Sequence, residues 1–122
     1  MSHSKPKHIK ALIIEPGRVP YLKEIPNTLE SLQHLVGGLI QALYPFDDFA
    51  AIICNDEGKL LGLPWNRPLS DEDGQIYDVI AGTFLIAGLT EEDFGSLTEE
   101  QIEKYTKMFR RCLCPEMILW ED

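Results

Sequence analysis

The run VIAGTFLIAGL at residues 79–89 constrains the fold more than any other segment, because it is almost entirely apolar. A strand at the edge of a sheet would expose too many of these side chains to water. Gly82 and Gly88 lie within the run and indicate a bulge or a close approach of two backbones. The run therefore predicts the central strand of a sheet.

Other strands are predicted where short apolar or alternating segments lie between turn residues. They are Ile9–Glu15, Val19–Ile25, Leu39–Phe46, Phe49–Asn55, a return strand at Leu60–Pro64 after a hairpin turn at Gly58, and a last one within residues 115–120. Strands that follow one another, without a helix between each pair, favour the α+β class. We therefore expect an α+β fold, with an antiparallel or mixed sheet of five to six strands and two main helices packed on one face.

The two helices are predicted from their capping signals. In the first, Asn27 is expected to be the N-cap, Glu30 to complete a capping box and Gly37 to end the helix in the left-handed conformation. In the second, Thr98 is the expected N-cap, with Gln101 three residues later. Apolar residues follow Thr98 at helical spacing, which predicts that one face of this helix packs on the sheet.

A length of 122 residues fits one domain, 1–122, of which residues 1–7 are expected to form a flexible tail. No apolar run approaches the roughly 18 residues that cross a bilayer, so no membrane partner is expected. Of the three cysteines, Cys112 and Cys114 are too close for an ordinary disulfide, which is typical of a reducing compartment. The expected location is the cytoplasm of a host cell.

The net charge of −9 lies in the second half of the chain. Residues 1–69 contain seven acidic and seven basic residues, whereas residues 70–122 contain thirteen acidic and four basic ones. This field repels phosphate backbones, so direct binding of DNA or RNA is not expected. Two interpretations remain: a solvated face that keeps the protein soluble, or a surface that attracts a basic partner.

Residues that could support catalysis or bind a metal are sparse. Cys54, Cys112 and Cys114 lack the paired spacing of a zinc site, and Cys54 lies in a buried strand. His34 is the one histidine outside the N-terminal segment, and no nucleophile with a neighbouring base is apparent. No glycine-rich phosphate loop precedes a helix. The sequence therefore predicts a protein that is not an enzyme, without a metal or a cofactor.

The segment LPWNRPL at residues 63–69 is the strongest candidate for a binding site. Trp65 offers a flat apolar ring, Asn66 both a donor and an acceptor, and Arg67 a guanidinium that suits phosphate or carboxylate. The flanking prolines stiffen the segment, so little entropy would be lost on binding. The alternative is a structural corner, in which Trp65 fills the end of the core and Arg67 pairs with Asp71 or Asp73.

The chain resembles a small domain-of-unknown-function family carried by phages and conjugative elements, chiefly of Gram-positive and gut bacteria. The resemblance extends from about Lys10 to about Phe109 and is most specific in the pairing of GLPWNR with DVIAGTF. The resemblance implies no catalytic residues, and the C-terminal segment CLCPEMILWED lies outside the region of resemblance. It implies an accessory protein of a mobile genetic element, and such proteins often counter host defence by binding.

Two functional hypotheses follow. In the first, the chain is a non-catalytic binder that inhibits a host defence protein with a basic surface, through its acidic second half. In the second, it binds or sequesters a nucleotide-like small molecule in a pocket formed by Trp65, Asn66, Arg67, Tyr77 and Thr83. A homo-oligomer is also expected, because the Trp120 end and the strand edge at Val19–Ile25 need covering.

Overall fold

The computed structural model describes residues 7–111. The elements in chain order are β1 (His8–Ile14), β2 (Tyr21–Pro26), α1 (Leu29–Val36), β3 (Ile40–Leu43), β4 (Ala50–Asn55), β5 (Trp65–Ser70), β6 (Ile76–Ala81), β7 (Phe84–Leu89), β8 (Phe94–Gly95) and α2 (Glu99–Met108). This is an α+β fold, as the runs of strands in the sequence predicted. None of the helices in the described part is long and apolar enough to cross a membrane.

Six strands form one antiparallel sheet in the order β2-β1-β7-β4-β3, and β8 pairs with the end of β7. The central position of β7 confirms the prediction for the second part of the run at residues 79–89. The strands β5 and β6 form a separate antiparallel hairpin. β2 lies at the edge of the sheet, and the homo-oligomer expected from this edge stays a prediction.

The sheet has a core on each face, because successive side chains of a strand point to opposite sides. On one face, α1 packs over a group of buried apolar residues: Ile9, Ala11, Ile13, Ile25, Ile53, Leu85 and Ala87. On the other face, α2 and the β5–β6 hairpin pack over a second group: Leu12, Ile14, Ile52, Phe84 and Ile86. The expectation that both helices pack on one face is therefore wrong, since central strands apolar on both sides need a cover on both sides.

Residues 79–89 form parts of two strands rather than one, and Gly82 explains why. Its φ of +87° lies in the left-handed region, which bends the chain between β6 and β7. The Gly82 amide donates to the carbonyl oxygen of Pro64 at 2.7 Å. A Cβ at this position would lie 2.7 Å from Leu63 Cδ1. The bend sends β6 out of the main sheet to pair with β5.

The predicted hairpin around Gly58 is also wrong. Residues 56–62 form successive turns, and the chain next enters a strand at Trp65. That strand, β5, pairs with β6 through Arg67 opposite Ile80 and Leu69 opposite Asp78. The polar segment at residues 71–75 connects the two strands of this hairpin.

The helix caps agree in part with their predictions. Thr28, and not Asn27, caps α1, because its hydroxyl accepts from the Ser31 amide at 3.1 Å. Gly37 ends α1 with a φ of +80°, as expected. The capping box of α2 is confirmed, since Thr98 and Gln101 each bond the other's backbone amide. The predicted strand within residues 115–120, the tail at residues 1–6, Cys112 and Cys114 lie outside the described residues.

Candidate functional site

Asn66 is buried at the start of β5, and both the nitrogen and the oxygen of its side-chain amide form hydrogen bonds. Its side chain is 1% exposed. Nδ2 donates to the carbonyl oxygens of Ile14 and Gly82, each at 2.8 Å. Its Oδ1 accepts from Arg67 Nη1 at 2.7 Å. Asn66 therefore ties the end of β1 to the bend between β6 and β7.

Arg67 is buried as well, at 1% exposure, and it connects three parts of the fold. Its Nε donates to the carbonyl oxygen of Phe109 at 2.8 Å, at the end of α2. Its Nη2 donates to the carbonyl oxygen of Arg18, in the turn between β1 and β2. Hydrogen bonds from a charged donor to buried carbonyls are among the stronger ones in proteins. The guanidinium therefore holds α2 and the hairpin together.

The other predicted site residues are more accessible but are not all together. The Trp65 ring is 44% exposed, so it does not fill the end of the core as the structural alternative required. Tyr77 is 57% exposed on β6. Thr83 is half-buried between β6 and β7. Of the five residues, only Arg67 and Tyr77 line a common depression.

That depression lies between the β5–β6 hairpin and α2, and we call it the hairpin groove. Its volume is about 680 Å³, within the roughly 300–1,000 Å³ of typical ligand pockets. Much of its lining is apolar and comes from three parts of the chain: Phe46, Pro68, Leu69, Tyr77, Met108 and Phe109. Met108 is 51% exposed, so a flexible thioether faces solvent at this surface.

Two of the basic groups that line the hairpin groove, Arg67 and Lys104, have partners within the protein. Arg67 donates to the backbone carbonyls of Arg18 and Phe109. Lys104 Nζ lies 3.9 Å from Asp48 Oδ2 and 5.3 Å from the centre of the Tyr105 ring. Arg67 is thereby poorly placed to hold an anionic ligand, and the charge of Lys104 is partly balanced by Asp48.

The acidic side chains at the groove are in a different position. Asp47 and Glu72 line it and are exposed, and neither forms an ion pair with any residue in the described range 7–111. Asp71 uses one carboxylate oxygen to accept from the amides of Asp73 and Gln75. Arg111 also lines the groove and is exposed, as is Lys104. The groove therefore presents two carboxylates that are available to a partner: Glu72 in the hairpin turn and Asp47 in the loop between β3 and β4.

A second surface lies at the end of the sheet where β4 begins and β7 ends, and we call it the acidic end. Asp47, Asp48 and Glu100 line a shallow depression there. Four further acidic residues lie beside it in the β7–β8 turn and at the start of α2: Glu91, Glu92, Asp93 and Glu99. Phe49 lines the same depression and is 77% exposed. Aromatic rings are enriched in protein-binding surfaces, and the surrounding carboxylates give this surface a negative field.

Asp48 fixes the loop before β4 to α2. Its Oδ2 accepts from Gln101 Nε2 at 3.1 Å and from the Tyr105 hydroxyl at 2.9 Å. The bond from Gln101 is the main reason that the pKa of Asp48 lies below its ordinary value of 3.8. Burial, together with the bond to Asp48, raises the pKa of the Tyr105 hydroxyl. The acidic end and α2 are thereby held in one arrangement.

Cys54 has the properties of a core residue. Burial is the main cause that raises the pKa of its thiol to about 11. A thiol with such a pKa is almost fully protonated near neutral pH and is a poor nucleophile or metal ligand. Within residues 7–111, no three or more histidine, cysteine, aspartate or glutamate side chains are grouped so that they could hold a metal ion.

Two functional features were not predicted from the sequence. The hairpin groove forms because α2 lies against the β5–β6 hairpin, and no local pattern predicts that contact. Met108 lies at the end of an amphipathic helix, and this position alone is a weak indication of a binding surface. The acidic end was predicted only as an excess of charge. Nothing in the sequence places Asp47 and Asp48 beside Glu100.

A family model described as a domain of unknown function (DUF3846) matches residues 9–110. The match covers most of the chain, so the chain belongs to the DUF3846 family. This confirms the resemblance to a domain-of-unknown-function family over almost the range expected from the sequence. No curated protein and no solved structure matches the chain at a significant level.

Proposed function

We propose that this DUF3846 chain is a non-catalytic binding protein of a mobile genetic element, and that it inhibits a host defence protein. The partner carries a basic surface, which docks on the acidic end. The observation that carries this proposal is the exposed Phe49 ring within a depression lined by Asp47, Asp48 and Glu100. Such a surface combines long-range attraction with an apolar contact that can be buried in a complex.

The charges around the acidic end support a basic partner. Among residues 7–111, Lys104 is the one cation that lines the depression, and it lies 3.9 Å from Asp48. The neighbouring carboxylates of Glu91, Glu92 and Glu99 are exposed. A surface with this excess of negative charge accelerates the encounter with a positively charged protein and repels nucleic acids.

The role in host defence comes from the resemblance to a family of phages and conjugative elements. An element entering a cell encounters host defence proteins, and a small binder can block one of them stoichiometrically. Many defence proteins act on nucleic acids and therefore have basic surfaces. A decoy with an acidic face and an apolar anchor would compete for such a surface.

An infection assay tests this proposal. The chain is expressed in bacterial strains that each carry one defined defence system, and the plating of a restricted phage is measured. The test variant carries Glu91→Gln, Glu92→Gln, Glu99→Gln and Glu100→Gln. The control variant carries the same number of neutralised acids away from the acidic end: Glu24→Gln, Glu30→Gln, Asp56→Asn and Glu57→Gln.

We expect the wild-type chain and the control variant to restore plating against at least one defence system, and the test variant to fail at equal protein abundance. The two variants have the same net charge, so a difference between them reports where the charge lies. Equal restoration by both variants would remove the acidic end from the mechanism. No restoration by the wild-type chain against any system would contradict the proposed role in defence.

A small-molecule binder is the second candidate, and the volume of the hairpin groove favours it. At about 680 Å³ the groove could hold a nucleotide-like molecule against the exposed ring of Tyr77. Native mass spectrometry of the chain purified from infected cells tests this candidate. A bound mass that Tyr77→Ser removes would support it. Arg67 is unsuitable for this test, because its replacement is expected to disturb the fold.

A further inference from the structure

We propose that the hairpin groove binds a basic amphipathic segment of the partner protein. Apolar side chains of the segment occupy the floor near Phe46, Tyr77 and Met108, and its lysine or arginine side chains pair with Asp47 and Glu72. This inference rests on the proposed function and names the element of the partner that gives the complex its stability.

The apolar floor is the first reason. Tyr77 and Met108 are more than half exposed, although they lie beside the core residues Leu69 and Phe109. When a partner covers exposed apolar side chains in a concave surface, their removal from water lowers the free energy of the complex. Methionine adapts its shape to the side chain that it meets, which suits a surface that receives a peptide.

The distribution of engaged and available charge is the second reason. Lys104 contacts Asp48, and Arg67 donates to backbone carbonyls, so both are already bonded within the protein. Asp47 and Glu72 have no ion pair within residues 7–111 and are exposed at the groove. Apart from Arg67 and Lys104, the described lining holds three carboxylates, Asp47, Asp71 and Glu72, and one cation, Arg111. The charge complement of this groove is therefore a cation, and a basic segment fits it better than a nucleotide.

The position of the groove is the third reason. Asp47 and Lys104 line both the hairpin groove and the depression of the acidic end, so the two surfaces are continuous. A basic partner attracted to the acidic end is thus placed beside an apolar groove. Electrostatic attraction mainly raises the rate of association, whereas buried apolar contacts slow dissociation. The apolar groove would therefore slow dissociation of the partner.

The experiment uses the full chain and defined synthetic peptides. The probe is a helical peptide with leucine on one face and lysine on the other. A serine/lysine peptide keeps the charge without the apolar face, and a leucine/glutamate peptide keeps the apolar face with the opposite charge. Binding is followed by the ¹³C-methyl NMR signal of Met108, assigned by its loss in Met108→Leu.

We expect the leucine/lysine peptide to shift the Met108 signal and the two other peptides to bind at least about tenfold more weakly, because both parts of the interaction are required. The double variant Asp47→Lys, Glu72→Lys should weaken binding of the leucine/lysine peptide at least about tenfold. The control Glu24→Lys, Glu30→Lys has the same net charge, lies on the strand edge and on α1, and should change the affinity less than about twofold. Thermal unfolding of each variant verifies that it is folded.

Three results would overturn the inference. One is equal weakening in both double variants, which would indicate attraction by net charge alone. Another is binding that appears only when residues 112–122 are removed, which would make the chain's own segment the occupant. The third is a small molecule that co-purifies with the chain and whose removal shifts the Met108 signal, which would make that molecule the occupant of the groove.

The infection assay separates this inference from the proposed function. In one outcome, the acidic-end variant loses protection, and the peptide affinity does not change in the Asp47→Lys, Glu72→Lys variant. This would reject peptide binding in the groove and keep the proposed function. Peptide binding that follows Asp47 and Glu72, with protection unaffected by the acidic-end variant, would keep the groove and reject the proposed function.

Discussion

Arg67 Nε donates a 2.8 Å hydrogen bond to the carbonyl oxygen of Phe109, 42 residues further along the chain. The same guanidinium bonds the carbonyl of Arg18 in the turn between β1 and β2. The side chain therefore links the hairpin, the main sheet and the end of α2. Both walls of the hairpin groove depend on this link, since one wall is the hairpin and the other is α2.

Replacement of Arg67 by methionine, which is similar in length, should lower the free energy of unfolding by about 2–4 kcal/mol, because buried carbonyls lose a charged donor. Urea unfolding measures the change. Arg110→Met is the matched control, since Arg110 is exposed and follows the end of α2, the helix whose C-cap carbonyl Arg67 bonds. A loss no larger than that of the control would show that the guanidinium does not hold these elements together.

Asp48 should make stability depend on pH in the acidic range. Its hydrogen bonds to Gln101 and Tyr105 lower its pKa below 3.8, so folding favours the charged form. A group with a lowered folded pKa contributes stability above its unfolded pKa and loses that contribution as pH falls through the folded value. Asp48→Asn should therefore be less stable than wild type at neutral pH, and the difference should disappear in strong acid.

Chemical unfolding at a series of pH values measures this difference. Asp47→Asn provides the control, because Asp47 is the exposed neighbour without an ion pair in the described chain. The control should be close to wild type at every pH. If the deficit of Asp48→Asn were the same in acid as at neutral pH, the charge on Asp48 would not be the stabilising feature.

Gly82→Ala should destabilise the fold by at least about 1 kcal/mol, because an L side chain is strained at this positive φ. The new Cβ would also approach Leu63 Cδ1 at 2.7 Å. Gly74 has a similar φ of +81° but open space around it. Thermal unfolding should therefore show a larger loss for Gly82→Ala than for Gly74→Ala. An equal loss would mean that Leu63 moves aside freely.

Much of the fold could be predicted from local patterns. The apolar and alternating runs identified five of the six strands of the main sheet, all except β8, and the Thr98–Gln101 pair identified the start of α2. The break at Gly82 could not be placed in advance, because a glycine within an apolar run fits a bulge and a strand end equally well. The partner of β5 was missed for the same reason, since β6 becomes a separate strand only through that break.

The candidate site was harder to predict because it depends on contacts between distant residues. Asn66 and Arg67 have side chains that suit a ligand, but their partners are the carbonyls of Ile14, Arg18 and Phe109. No local pattern shows that these carbonyls would need donors. The charge excess in the second half of the chain was visible, and its position beside Phe49 was set by the packing of α2.

The central claim is that the acidic end docks a basic partner, and the affinity for the host protein recovered with the wild-type chain tests it most directly. The affinity should fall at least about tenfold between roughly 0.05 M and 0.5 M salt, because exposed charges are screened. It should also fall at low salt in the variant with Glu91, Glu92, Glu99 and Glu100 changed to glutamine, and not in the matched control. An affinity unchanged by salt and equal in both variants would contradict the account.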